Sequence, residues 1–162
     1  EEFWTAVPDP SGFSGEAAME IGPDDGDSIR SAHATTASEL AFEIDFTNTG
    51  TYYVWVRAWA PDARGKAMFA GLAGESPTGV AAGGAGSWNA GVGEWSWSRS
   101  SRSGEATIEV DAAGIATFQL FMGDDGVVVD KIVLTNDPDY VPVDEGPPEL
   151  SGELSATLFT AE

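Results

Sequence analysis

The sequence predicts an all-β protein built as a β-sandwich of the jelly-roll type. Short runs of alternating apolar and polar residues recur along the chain, and glycine-bearing turns separate them at the spacing that is typical of sandwiches. No segment shows the 3.6-residue period of a convincing amphipathic helix. With 162 residues, the chain is long enough to bury a core of its own as one domain.

The first strands are short and lie close to the N-terminus. We expect a strand within residues 1–9, where Glu1 and Glu2 precede Phe3-Trp4 and prolines end the run. A second strand is expected at residues 17–21, after a glycine-rich turn. The acidic turn at residues 23–27 lacks the glycine and glutamate positions of the twelve-residue calcium loop, so we interpret it as solvated.

The two strongest strand patterns follow each other in the middle of the chain. Residues 40–46 alternate apolar and acidic side chains, and the turn at residues 48–50 suggests that the next strand is their antiparallel neighbour. That next run, residues 50–61, places two different sets of side chains on its two faces. The predicted core face holds Tyr52, Val54, Val56 and Ala58, and the opposite face holds Tyr53, Trp55, Arg57 and Trp59.

The second half of the chain continues the same pattern around one irregular region. Strands are expected at residues 67–72, 94–98, 106–110, 115–122 and 127–135. Residues 71–93 are rich in glycine and alanine, and a loop of that length is usually functional or disordered. Beyond Tyr140 the composition shifts to proline and acids, which predicts a domain at residues 1–140 and a linker or tail at residues 141–162.

Charge and cysteine content restrict the function classes. The chain has 27 acidic and 7 basic residues and a formal net charge of -20. A field of this sign repels nucleic acid and anionic membranes and attracts divalent cations, although solubility alone explains most of the carboxylates. There is no cysteine and no run of 18 apolar residues, so we expect neither disulfides nor a membrane span. Since the chain opens on Glu1-Glu2 without a signal peptide, we interpret it as a mature or excised module.

Residues for covalent catalysis are missing from the sequence. His33 is the single histidine and lies in a polar segment, where we expect it on the surface. Without cysteine or a Gly-x-Ser-x-Gly motif, the serine and cysteine triads lack their parts, and one histidine cannot build a transition-metal site. A carboxylate pair for glycoside hydrolysis stays open, because some pair among 27 acids will have a workable separation.

Tryptophans near the predicted loops favour carbohydrate binding. An indole ring covers the C–H face of a pyranose while polar side chains contact its hydroxyls, and burial of one sugar face contributes on the order of 2 kcal/mol. The alternative is that Trp55 and one of Trp95 or Trp97 fill the core. We expect at least one tryptophan near the loops to be exposed. The predicted carbohydrate-binding residues are Arg57, Trp59, Asp62, Trp88, Asn89, Trp95 and Trp97.

Asp130 suggests a metal site. In residues 127–135, Val128, Asp130 and Ile132 share a face with Leu134, which predicts that the carboxylate points at the core. A buried carboxylate needs a partner, and calcium accepts carboxylate oxygens in irregular geometry. Glu1 and Glu2 are possible co-ligands. Alternatively, Asp130 pairs with an arginine such as Arg30 or faces outward.

Three stretches resemble galactose-binding-like β-sandwich modules similar to carbohydrate-binding module families 6 and 35. These are Gly-Thr-Tyr-Tyr-Val-Trp-Val-Arg, Gly-Glu-Trp-Ser-Trp-Ser and Asp-Asp-Gly-Val-Val-Val-Asp-Lys-Ile-Val-Leu-Thr. The resemblance covers about residues 1–140. It implies a structural calcium at Glu1 or Glu2 and Asp130, and a sugar site at the loop edge or on a sheet face. The polar Asp-Ser-x-His and Arg-Glu-Asp-Gly motifs of close relatives are missing, so their ligand does not transfer.

The sequence therefore predicts a secreted, monomeric, calcium-stabilised module that binds polysaccharide or oligosaccharide without catalysis. It would target an attached enzyme or surface protein, through other domains of the same polypeptide, to its glycan. The first alternative is a structural or adhesion module of a large surface protein without a working sugar site. The second is a small glycosidase or lyase.

Overall fold

The computed structural model describes residues 2–63, 67–75, 87–89, 91–101, 104–148 and 157–158, with backbone only at 87–89 and 157–158. The first elements are β1 (Phe3–Val7), β2 (Ala18–Gly22), α1 (His33–Thr36), β3 (Glu39–Phe46), β4 (Gly50–Ala60) and β5 (Ala67–Leu72). Short strands follow: β6 (Ser87–Asn89), β7 (Gly91–Val92), β8 (Ser96–Ser98), β9 (Ser100–Ser101) and β10 (Gly104–Glu105). The last are β11 (Thr107–Val110), β12 (Gly114–Met122), β13 (Val128–Thr135) and β14 (Thr157–Leu158). The all-β prediction is confirmed.

Two sheets form a β-sandwich. The first sheet has the order β1-β2-β13-β4-β11, with β7 and β8 also paired to β4 and β14 paired to β13. The second sheet has the order β3-β12-β5-β6, and β9 and β10 form a separate ribbon. Within the described residues, no helix is both long and apolar enough to cross a membrane.

The core lies between the sheets and confirms the predicted faces of β3 and β4. Tyr52, Val54, Val56 and Ala58 are at most 1% exposed. The prediction that β3 and β4 are antiparallel neighbours is wrong, because β3 pairs with β12 and β4 pairs with β13. Phe46 and Tyr52, at the two ends of the connecting turn, both enter the core, where their rings meet edge to face at 5.1 Å. The turn therefore carries the chain from one sheet to the other.

A β-bulge changes the face on which Asp130 lies. Val129 pairs with Ala58 and Lys131 pairs with Arg57, so the register shifts across Asp130. Two residues of β13 then oppose one residue of β4. The prediction that Asp130 points into the core is wrong for this reason, since the core cluster takes Val129 and Ile132 from the two sides of the bulge.

Residues 28–38 cross the outer face of the second sheet and contain the short helix α1, which the sequence pattern did not indicate. His33 opens this helix and is 1% exposed. The expectation that it lies on the surface is wrong, because its ring packs against Phe69 with centroids 3.7 Å apart. Phe69 and Phe121 form a second, small apolar cluster here.

Candidate functional site

The register of β4 brings several predicted binding residues together at its C-terminal end. Arg57 pairs with Trp97 of β8, and Trp59 pairs with Gly91 of β7. Asn89 stands two residues before Gly91, so residues 88–89 enter the same edge of the sandwich from β6. The side chains of Trp88 and Asn89 are outside the described part of the chain. Asp62 lies on the exposed turn that follows β4.

Arg57 and Trp95 hold the loop between β1 and β2. Nη1 of Arg57 donates to the carbonyl of Gly12 at 3.0 Å, and the guanidinium lies over the Trp95 ring at 5.3 Å. The indole nitrogen of Trp95 donates to the carbonyl of Ser11 at 3.0 Å. Gly12 has φ +99°, and a Cβ there would lie 3.3 Å from the Trp95 ring. Both predicted sugar-contacting side chains are therefore engaged with the protein's own backbone.

Asp130 completes this buried cluster on the outer face of the first sheet. Its side chain is 0% exposed, and Arg57 Nη1 lies 2.5 Å from Oδ2. Oδ1 accepts from the backbone N–H of Ser14 at 2.7 Å and from its hydroxyl at 2.9 Å. Of the alternatives for Asp130, the structure shows the arginine pair, although the partner is Arg57 and Arg30 instead pairs with Asp124 at 2.6 Å.

Trp97 holds a second segment, residues 137–148, which we call the C-terminal strap. Its indole nitrogen donates to the carbonyl of Asp144 at 3.0 Å. Nζ of Lys131 donates to the carbonyls of Glu145 and Pro147 at 2.9 and 3.0 Å. Gly146 has φ +75°, and a Cβ there would lie 2.5 Å from the Trp97 ring. The first residues of the predicted linker thus pack on the first sheet, while the boundary after residue 140 stays a prediction.

The expectation of an exposed tryptophan near the loops includes Trp88, whose side chain lies outside the described residues. Trp55 is 9% exposed, and the Arg99 guanidinium lies over its ring at 5.0 Å. Trp59, Trp95 and Trp97 are half-buried. Among the tryptophans whose side chains the structure describes, none is largely exposed. Trp95 contacts the loop between β1 and β2, and Trp97 contacts the C-terminal strap. For Trp59, the described contacts include neither of these segments.

Acidic side chains lie close together at the N-terminal end of β1. Oxygens from Glu2, Asp25 and Asp27 lie within 4.8 Å of one another. Asp125 positions two of them, because its Oδ2 accepts the backbone N–H groups of residues 25, 26 and 27 at 2.8, 2.8 and 2.9 Å. Burial first, and then the charges of Asp25 and Asp125, raise the pKa of Glu2 above its usual range. Such a set of oxygens suits a divalent cation.

The register separates Glu2 from Asp130. Val129 pairs with Met19, and Met19 pairs with Ala6, so Asp130 is level with the end of β1. Glu2 is five residues away along that strand, about 16 Å at roughly 3.3 Å per residue. The structure therefore does not bring these two predicted metal ligands together, and Glu1 is outside the described residues.

Asp25 and Asp27 are neighbours of Glu2 that the sequence pattern did not indicate. The turn at residues 23–27 does not match the calcium loop of helical proteins, in which one continuous segment supplies the ligands. Here the oxygens come from two segments that the β1–β2 hairpin brings together, since Phe3 pairs with Gly22. The density of acids in the turn was the available signal.

Comparison with known proteins gives the family. The sequence profile described as the glycosyl hydrolase family 115 C-terminal domain matches residues 1–149. The chain belongs to this family. As a family 115 C-terminal domain, it is a β-rich domain associated with a glycosyl hydrolase, and the match includes the C-terminal strap. The finer resemblance to carbohydrate-binding module families 6 and 35 stays a prediction.

An uncharacterized protein, P23, of Formosa agariphila is 34% identical to this family 115 C-terminal domain over 116 residues. The aligned region is 67% of the chain and 27% of P23, so the chain spans about a quarter of that relative. No solved structure matches the chain.

Proposed function

We propose that this domain is a non-catalytic accessory domain that binds polysaccharide and keeps an attached glycoside hydrolase at its substrate. Membership in a family of glycosyl hydrolase C-terminal domains supports the attachment to an enzyme. Tethering raises the effective concentration of the second binding event without adding contacts to the catalytic site. Such a protein works outside the cell, where polysaccharides are found, so we propose that it is secreted.

The end of β4 carries the proposal. Trp59 is half-buried there and pairs with Gly91. The exposed Asp62 lies in the turn that follows β4. An indole with one open face covers one face of a pyranose, which contributes on the order of 2 kcal/mol. On its own, about 2 kcal/mol corresponds to a Kd of roughly 30 mM, so binding by one ring is very weak. Trp88 and Asn89 are proposed to add contacts from β6.

We also propose a structural calcium at the N-terminal end of β1, held by Glu2 with Asp25 and Asp27. Oxygens of three carboxylates lie within 4.8 Å of one another and repel, and burial first, and then the charges of Asp25 and Asp125, raise the pKa of Glu2. A divalent cation would offset it and fix the N-terminal strand against the turn at residues 25–27. Of the predicted metal ligands, this proposal retains Glu2. It does not include Asp130, which pairs with Arg57.

One observation favours a second function, that of a structural module without a sugar site. Arg57, Trp95 and Trp97 are all engaged with backbone carbonyls of the same chain. In a working binding site, polar groups that contact sugar hydroxyls are expected to be open before the ligand arrives.

Affinity electrophoresis against neutral and acidic polysaccharides distinguishes these functions. We expect the wild type to be retarded by at least one glycan, and Trp59→Ala to abolish the retardation. Phe3→Ala is the matched control, because Phe3 is an exposed aromatic ring (59%) on the edge strand β1, and it should bind like the wild type. Absence of retardation on every glycan would support the structural module, and release of new reducing ends would contradict the non-catalytic assignment.

Melting with and without calcium tests the metal. Binding to the folded state alone contributes about 2.7 kcal/mol at a calcium concentration of 100 Kd. Asp27→Asn should remove most of the calcium-dependent rise in Tm, whereas Asp45→Asn, an exposed acid on β3, should keep it. A wild-type Tm that is the same in calcium and in chelator would exclude the site.

A further inference from the structure

The described residues give one ring nitrogen of His33 a hydrogen-bond partner. Its Nε2 lies 3.0 Å from the carbonyl oxygen of Ile29. A carbonyl only accepts hydrogen bonds, so Nε2 carries a hydrogen and donates it. Nδ1 is buried and has no hydrogen-bond partner within the described part of the chain. The ring is 1% exposed and tilted 32° against Phe69.

The segment that carries this histidine is attached at its two ends. At one end, Ile29 donates its N–H to the carbonyl of Gly123 at 2.8 Å, and Arg30 pairs with Asp124. At the other end, Met122 donates its N–H to the carbonyl of Ser38 at 3.0 Å. Between these attachments, the His33 ring packs against Phe69 of the second sheet, and Ala37 packs against the same apolar cluster.

We propose that residues 28–38 form an acid-sensitive latch in which protonation of His33 at Nδ1 opens the segment and uncovers Phe69 and Phe121. Protonation creates a second N–H that has no acceptor in the closed state. Removing a buried donor from water without a partner is costly, and a buried charge more so. In the open state, water solvates both N–H groups.

The groups around the ring do not compensate the charge. Strands β5 and β12 contribute Phe69 and Phe121, which carry no charge, and the first turn of α1 has no acid. Arg30 is a charged neighbour, and its positive charge disfavours a protonated His33. Arg30 itself pairs with Asp124. Burial, the largest cause, and then Arg30 lower the pKa of His33, while the hydrogen bond to Ile29 acts in the opposite direction.

The direction of the pH dependence follows from this lowered pKa. A histidine whose pKa is lower in the closed state than in the open state, where it is about 6.5, binds its proton more readily when open. The latch is therefore most stable above pH 6.5 and loses stability as the pH falls below that value. Between the two pKa values, the opening constant grows up to tenfold for each pH unit.

The chain offers a clean experiment, because His33 is its single histidine. Hydrogen exchange at pH 7.5 and 5.0, corrected for intrinsic rates, reports opening through the amides of Ile29, Ala37 and Met122. We expect exchange of these amides to rise measurably at pH 5.0, by at most the roughly 30-fold that proton linkage allows between pH 6.5 and 5.0, while the core amides of β4 change much less. An apolar dye should gain fluorescence in the same pH range.

Variant His33→Phe is the control, since a second ring against Phe69 cannot be protonated. Its segment should stay protected at pH 5.0. Equal opening of wild type and variant at pH 5.0 would overturn the proposal. If the variant does not fold, the wild type decides: loss of protection at residues 28–38 that follows the NMR titration of the imidazole supports the latch, and protection that stays unchanged through that titration overturns it.

Discussion

Removing the buried carboxylate of Asp130 should destabilise the protein more than removing a surface carboxylate of the same kind. In Asp130→Ala, the guanidinium of Arg57 loses its ionic partner at 2.5 Å while its side chain is only 10% exposed. The backbone N–H and hydroxyl of Ser14 lose their acceptor at the same time. The loop between β1 and β2 then has one attachment fewer to the first sheet.

The structure sets the magnitude. Breaking a buried ion pair by removing one partner costs about 3–5 kcal/mol, because the other charge is left unpaired. Replacing both partners with apolar residues removes that charge, so Arg57→Met combined with Asp130→Leu should cost clearly less than the sum of the single changes. For comparison, Arg99 and Glu105 form a pair that is more open to solvent, with side chains 19% and 48% exposed. Loss of such a pair costs about 0–1 kcal/mol.

Urea denaturation of Asp130→Ala, of the four proteins of the Arg57→Met and Asp130→Leu double-mutant cycle, and of Glu105→Ala as the control measures these differences. We expect Asp130→Ala to lower the free energy of unfolding by about 3–5 kcal/mol and Glu105→Ala by less than about 1 kcal/mol. Equal losses for the buried and the exposed acid would refute the reasoning. Strict additivity in the cycle would refute it as well, since it would mean that the two side chains do not interact.

Three further changes test other contacts. Gly146→Ala should release the C-terminal strap, because φ +75° and the Trp97 ring leave no room for a Cβ; faster exchange or proteolysis at residues 141–148 would show it, and an unchanged rate would contradict it. Asp125→Ala should lower Tm by several degrees, since three backbone N–H groups at residues 25–27 lose their acceptor. Glu2→Gln should raise Tm in chelator at pH 7 yet weaken the response to calcium. The raised pKa of Glu2 means that its charge costs stability as the pH rises through that pKa, so wild type and variant should converge in acid.

Most strands could be predicted because their side chains alternate. In β3 and β4 the apolar residues recur at every second position, and the burial of Ile44, Phe46, Val54 and Val56 follows that period. The pairing could not be predicted in the same way. Alternation shows which face is buried but not which strand lies alongside, so β3 and β4 were assigned to one sheet although they lie in two.

The candidate site was predicted in composition but not in contacts. The aromatic and cationic face of β4 is present, yet the partners of Arg57 and Trp95 are backbone carbonyls 45 and 84 residues away in sequence. Periodicity contains no information about contacts at that separation. The bulge at Asp130 could not be predicted for a related reason. One extra residue moves the side chains on one side of the bulge to the opposite face of the sheet, but it leaves no mark in the composition of the strand.

The position of β13 in the first sheet has a consequence for biosynthesis. This strand lies between β2 and β4, so the N-terminal hairpin and β4 share no neighbour until residue 135 has left the ribosome. At about 5–20 residues per second, roughly 4–15 seconds of translation separate the end of β4 from the end of β13. During that interval β2 and β4 are among the strands with an unpaired edge, which can pair with other chains. A ribosome that stalls in this window would therefore release an aggregation-prone half-sandwich, whereas one that stalls after residue 135 would release a chain with all the strands of its core.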